Sequence, residues 1–414
     1  MGIFEGIMGY TKEAIKGVTF IGLIRVSTRI LSFVKTIIIA RVLSPYQFGL
    51  FGIATLVLVF VEILTETGVN IFLVQKKDNI DKYINTSWIV SIIRGTIIAL
   101  VILISSSAIS NFFNTPDSFN LILLISLVPF LRGFINPSIV KFQKELRFSL
   151  EFYYRTSSFF VETFFSVLLV LLTKTVEGLV WGMIIGVMFE IAMSHAIVKP
   201  RPVFNFNFQL FKEVVGFGKW ITASTIFNYF YQHGDDMAVG RLLGARSLGI
   251  YDMAYRISLI PITDIADVVF RVTFPVYVKI SSDLKRLRRA FLKSLGFVFL
   301  LVLPLCTVLF LFPGEIISLT LGNKWLEAVP VLRILAVFGV VRAISVFSST
   351  VFLSLGKQNI TTLISLVGLL GLGVTIVPFV LNWGLMGAAY SALFGTSLTI
   401  PVIFFNIYKT FYSK

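Results

Sequence analysis

The chain has 414 residues, of which 56% are hydrophobic, and its mean hydropathy is +0.90. Soluble globular domains hold about 45–50% apolar residues, so the composition excludes that class. The formal charge of +15 does not require nucleic acid as a partner, because Lys and Arg of a membrane protein collect in its cytoplasmic loops.

Apolar windows of about 20 residues, the length that crosses a bilayer as a helix, recur along the chain. They predict an all-α polytopic membrane protein of about twelve spans. The spans fall at roughly 17–40, 47–74, 86–108, 119–140, 152–173, 178–198, 217–240, 248–274, 290–312, 330–354, 359–381 and 385–408. An even number puts both termini on one side. Loops on that side hold most of the loop Lys and Arg, from Lys76 to Lys357. The opposite loops hold only Arg41, Lys174, Arg241, Arg246 and Lys324. The basic side is expected to be cytoplasmic, with both termini, in the cell membrane.

The first span is the unusual one. GVTFIGLIRVSTRILSFVKTIIIAR (Gly17–Arg41) carries Arg25, Arg29 and Lys35 within an otherwise apolar stretch. A cation at the bilayer centre costs about 2.5–3.5 kcal/mol on the insertion scale. Such a helix lines a wet cavity or pairs with acids of other helices. Arg25 and Arg29 are four apart and share a face. A cationic wall implies an anionic substrate, and planar guanidinium groups suit phosphate because they bind it through two parallel bonds. Arg256 and Arg271 extend the candidate set.

Acids lie in the spans as well. Glu62 and Glu66 are four apart in the second span. They suit pairing with the cations of the first span, or coupling to H+ or Na+. Asp252 sits four residues before Arg256, the spacing of an intrahelical ion pair. Asp264 and Asp267 follow. Asp235 and Asp236 fall near the outer end of the seventh span beside His233, where solvent exposure is expected. Arg94, Arg132, Glu162, Glu190 and Arg342 lie farther from the centre and read as structural pairs. Glycines such as Gly49, Gly182 and Gly186 read as sites of close helix packing.

The sequence repeats. ARVLSPYQFGLF (Ala40–Phe51) matches GRLLGARSLGIY (Gly240–Tyr251) at an offset of 200, pairing Arg41 with Arg241 and Gly49 with Gly249. The repeat divides the chain into a six-helix lobe over 1–200, an interfacial linker over 201–216 and a six-helix lobe over 217–414. Two six-span halves insert in the same sense, a parallel repeat common in transporters.

With the basic loop Gln143–Phe148, these motifs resemble the polysaccharide transporter, or O-antigen flippase, family. Its superfamily also holds multidrug exporters and the lipid II flippase. The resemblance implies a V-shaped molecule with a central cavity. It implies alternating access and a polyprenyl-pyrophosphate-linked oligosaccharide, carried to the outer leaflet for cell-surface polysaccharide synthesis. Membrane lipids and glycan polymerase or assembly proteins are the implied partners. No cofactor is expected beyond a coupling ion. A multidrug-type exporter would favour acids in its cavity, against the trend of the first span. A glycan-assembly enzyme would carry a large external loop, whereas the longest outer loop here is Pro313–Val329.

Overall fold

A computed structural model describes residues 2–65, 68–76 and 79–412, with side chains from Thr19 onward outside 215–225 and Asn228. Among the described residues every regular element is helical. In chain order they are α1 (Gly2–Val42), α2 (Pro45–Leu64), α3 (Val69–Gln75), α4 (Asp81–Phe112), α5 (Ser118–Ile125), α6 (Leu127–Arg132), α7 (Lys141–Lys144), α8 (Phe148–Thr173) and α9 (Glu177–Ile197). They continue as α10 (Phe208–Lys279), α11 (Leu284–Leu311), α12 (Pro313–Thr320), α13 (Val329–Ser354), α14 (Gln358–Ser397) and α15 (Thr399–Tyr412). Among the described residues, seven helical stretches are long and apolar enough to cross a membrane, or eight if one bent pair counts as a span. The pattern expected about twelve. The difference has two sources: charges crowd α1 and α10, and Gln358–Tyr412 counts as one 55-residue stretch.

Two long helices are hairpins. Gly244 sits at φ 82° and ψ 177° inside α10. An uninterrupted helix would hold Asp235 and Tyr251 about 24 Å apart at 1.5 Å per residue. Their side chains instead hydrogen-bond at 2.8 Å, so the chain folds back at Gly244. Gly384, at φ 57° and ψ −133°, does the same in α14. There Thr375 and Ser391 hydroxyls meet at 2.6 Å across the fold. Positive φ is open to glycine without the Cβ clash that other residues suffer.

The expected span at 119–140 is broken. Helix α6 ends at Arg132, and the chain turns by 70° before a 3-10 turn over Pro137–Val140. Asn136 fixes that turn from a fully buried position. Its side-chain oxygen accepts from Ser138 N at 2.9 Å, and its Nδ2 donates to Pro200 O at 3.2 Å. Its backbone N–H donates to Ser194 Oγ at 3.1 Å. Pro137 supplies no N–H to continue a helix.

The chain forms two compact units: Met1–Ser44 with Ala54–Ile226, and Pro45–Ile53 with Phe227–Lys414. In the first unit, Gly178, Gly182 and Gly186 form a small-residue stripe at one-turn spacing along α9. A Cβ at Gly182 would stand 2.5 Å from Ser166 N, so α9 lies directly on the backbone of α8. Such stripes allow helices in lipid to pack closely, where no hydrophobic effect drives them together.

In the second unit the two copies of the repeat motif meet each other. A Cβ on Gly49 would stand 1.6 Å from Ala245 O, and one on Gly249 would stand 2.0 Å from Pro45 O. Position 245 corresponds to 45 in the repeat, and 249 to 49. The contact is therefore reciprocal, as at a two-fold axis. Phe48 packs edge-on against the fully buried Trp325 beside it, with ring centres 5.3 Å apart.

Candidate functional site

Arg25 and Arg29 lie exposed on α1, one turn apart. Lys35, two turns further along, is held in an ion pair with Glu162 of α8 at 2.9 Å. Glu62 does not turn to the cations of α1. It accepts from Arg132 Nη1 at 2.9 Å, and its backbone carbonyl accepts from Arg94 Nη2 at 2.8 Å. Glu66 lies outside the described residues.

Glu62, Arg94 and Arg132 border a cavity of about 420 Å³ wholly inside the first unit. Its charged lining is Glu62 of α2, Arg94 of α4, Arg132 of α6, Arg155 of α8 and Glu190 of α9. Arg155 Nε donates to Glu151 Oε1 at 2.8 Å, and Tyr154 Oη donates to Glu190 Oε1 at 3.2 Å. Arg94, Arg132 and Glu190 looked peripheral as isolated residues along the chain. The 70° turn after α6 brings the segment through Pro137 and Ile139 into the wall and joins them to Glu62. The Asn136–Pro137 dipeptide was the available signal for that turn.

In the second unit the expected Asp252–Arg256 pair forms along α10, and Asp267 and Arg271 make a second at the same spacing. Arg256 Nε donates to Asp252 Oδ2 at 2.8 Å, and Arg271 Nε approaches Asp267 Oδ2 at 3.4 Å. Asp264 is half-buried one turn before Val268. The expectation that Asp235 is solvent-exposed is corrected: it is only 4% exposed. The fold at Gly244 lays Tyr251 over it, and the Tyr251 hydroxyl donates to Asp235 Oδ2 at 2.8 Å. His233 Nδ1 lies 3.2 Å from Asp236 Oδ2 in the same cluster. Arg342 of α13 donates to the Tyr255 hydroxyl at 3.1 Å and lies over the rings of Tyr231 and Phe338. A guanidinium over aromatic faces is stabilised by their quadrupoles.

A third polar cluster lies outside the spans. Lys76, just after α3, donates to Glu213 Oε2 at 2.9 Å, and the Tyr83 hydroxyl donates to the same oxygen at 3.0 Å. These two donors hold the Glu213 carboxyl below its ordinary range, and Glu213 holds the Lys76 ammonium above its own. Nearby, Phe204, Phe206 and Phe208 are exposed on the segment that leads into α10.

Long apolar helices enclosing charged clusters define a multi-pass helical membrane protein with a polar interior. The profile of a family described as polysaccharide biosynthesis proteins matches residues 38–330, and the chain belongs to that family. It is 25% identical to the lipopolysaccharide biosynthesis protein WzxC of Escherichia coli over 81% of this chain and 69% of that protein. It is 24% identical to the teichuronic acid biosynthesis protein TuaB of Bacillus subtilis over 84% of this chain and 73% of that one. The solved structure of the lipid II flippase MurJ, in an inward closed conformation, superposes with a TM-score of 0.75. That match covers 94% of this chain and 87% of MurJ at 16% identity, so the likeness is one of fold.

Proposed function

We propose that the chain is a flippase, not an enzyme. Its substrate is a polyprenyl-pyrophosphate-linked oligosaccharide, moved from the cytoplasmic to the outer leaflet for cell-surface polysaccharide synthesis. Family membership supports the biosynthetic role, and the fold shared with a lipid II flippase supports the mode of action. The observation that carries the reading is the exposed Arg25–Arg29 pair on a helix otherwise rich in Ile, Leu, Val and Phe. A sugar head with a phosphate neck loses its hydration on entering hydrocarbon, and a wet cationic path removes that cost. Arg25 and Arg29 are assigned the pyrophosphate. Lys35 serves Glu162. Arg256 and Arg271 are held by Asp252 and Asp267, so the two pairs add no net charge to the path.

Twelve crossings in two halves, 1–200 and 217–414, fit this activity. The folds at Gly244 and Gly384, together with α1, support this count beyond what apolar length alone gives. An even count with basic inner loops puts both termini in the cytoplasm. The mode is alternating access.

The test is transfer of a short polyprenyl-pyrophosphate oligosaccharide between leaflets of liposomes. Wild type is expected to transfer it, and the Arg25→Ala/Arg29→Ala double variant is not. Equal transfer by both would move the anion site elsewhere. Export of a cationic dye in place of the glycolipid would overturn the reading.

A further inference from the structure

The cavity inside the first unit is electrically different from the cationic face of α1. Its lining holds three guanidinium groups, Arg94, Arg132 and Arg155, and two carboxylates, Glu62 and Glu190. Glu151, outside the lining, pairs with Arg155 at 2.8 Å and brings the local formal sum to zero. An anion entering it would face the carboxylates of Glu62, already paired with Arg132 at 2.9 Å, and Glu190. A ligand without charge meets no such opposition, provided it presents many hydrogen-bond donors and acceptors at once. A sugar hydroxyl donates one bond and accepts two, so it serves carboxylate and guanidinium together.

Volume and access agree. About 420 Å³ sits at the low end of the ~300–1,000 Å³ of small-molecule sites. It suits a mono- or disaccharide unit and is too small for a lipid-linked chain. Arg132 and Arg155 keep side-chain exposures of 42% and 52%, so the cavity opens at those two residues. The walls are rigid. A Cβ on Gly95 would stand 2.4 Å from Pro129 O, and one on Gly133 would stand 2.9 Å from Ser91 O. Backbone thus lies on backbone between α4 and the α6 region. A site held this firmly loses little ordering entropy on binding.

We infer that this cavity is a glycosyl subsite that takes one or two uncharged sugar units through Glu62, Glu190, Arg132 and Arg155. The inference rests on the flippase reading and assigns the sugar head to a place distinct from the pyrophosphate contacts. The family's polysaccharide role fits a protein that recognises its glycan as well as its phosphate.

The experiment uses the full chain in lipid nanodiscs and saturation-transfer NMR with free glucose, galactose and N-acetylglucosamine, and with inorganic phosphate as competitor. At least one sugar is expected to bind. Glu190→Gln and Arg155→Gln should each weaken it about tenfold or more, the usual consequence of losing a hydrogen bond to a charged group. Glu190→Gln retains an acceptor for the Tyr154 hydroxyl, so it tests the site with little cost to folding. Arg25→Ala/Arg29→Ala should leave sugar binding unchanged, and phosphate should not compete. No binding by wild type, binding indifferent to both cavity variants, or displacement by phosphate would each overturn the subsite. The two readings also separate. Glycolipid transfer without sugar binding sinks the subsite alone. Sugar binding without transfer sinks the flippase and supports the subsite.

Discussion

Gly49 and Gly249 offer a severe test of the reciprocal contact between the repeat motifs. Ordinary contact begins near 3.4 Å. Gly49→Ala would place its Cβ 1.6 Å from Ala245 O, and Gly249→Ala would place its Cβ 2.0 Å from Pro45 O. The start of α2 must retreat by roughly 1.8 Å in the first case and roughly 1.4 Å in the second. Both obstacles are backbone carbonyls, which cannot swing aside like a side-chain tip. Overpacking of this kind costs about 1–3 kcal/mol, and the upper end applies here. Alanine recovers about 1 kcal/mol of helix propensity, leaving each variant about 2 kcal/mol less stable. The same retreat relieves both clashes, so the double variant should lose clearly less than the sum of the two. Gly296→Ala in α11 is the control, with nothing within 4 Å of its Cβ, and should be neutral or stabilising. Thermal unfolding in detergent, followed by tryptophan emission, reads all four proteins. The buried Trp325 lies against Phe48, next to the strained contact. If Gly49→Ala melts with the Gly296→Ala control, or if the two losses add fully, the reciprocal packing is refuted.

Other perturbations read other links. Removing either partner of the Lys35–Glu162 pair leaves a poorly solvated charge and should cost about 3–5 kcal/mol, whereas Lys35→Met with Glu162→Met should recover most of it; a thermal-melt cycle decides. Asn136→Ala removes the polar hub behind α6 and should destabilise by about 2–3 kcal/mol, because buried partners lose their bonds. Cleavage of the first unit by added protease would reveal it, and unchanged resistance would count against the hub. The Lys76–Glu213 contact should be pH-dependent with a fixed sign. Glu213 is held below its ordinary value, so the contact is complete at neutral pH and is lost as pH falls through that lowered value. Lys76 is held above its own, so the contact survives mild alkali. Glu213→Gln should therefore speed hydrogen exchange across 208–214 at pH 7 and change little at strongly acid pH.

The membrane class, the charged first helix and the repeat were legible because each is written locally, in hydropathy, in charge and in a gapless match of twelve residues. The helical pair Asp252–Arg256 was legible for the same reason: a four-residue spacing decides it. The reversal near Gly244 was legible too, since the expected spans end at 240 and resume at 248. What escaped is what that reversal brings together: it lays the Tyr251 hydroxyl on Asp235, a residue that position along the seventh span alone sends to the membrane edge. The cavity escaped more completely. Its five charged residues come from five helices, spread from Glu62 to Glu190, and each has an unremarkable local setting. Only the turn held by Asn136 assembles them.

The separation also explains how one chain satisfies two opposed requirements of its proposed substrate. A pyrophosphate needs net positive charge, and an uncharged sugar needs donors and acceptors in balance, because surplus charge there would be buried without a partner. One shared pocket would compromise both. Cations on the exposed face of α1 and a charge-balanced cavity walled by α4, α6, α8 and α9 meet the two requirements separately. Substitutions at lining positions such as Ser91 and Asn70 are then expected to change sugar binding and leave the phosphate contacts untouched.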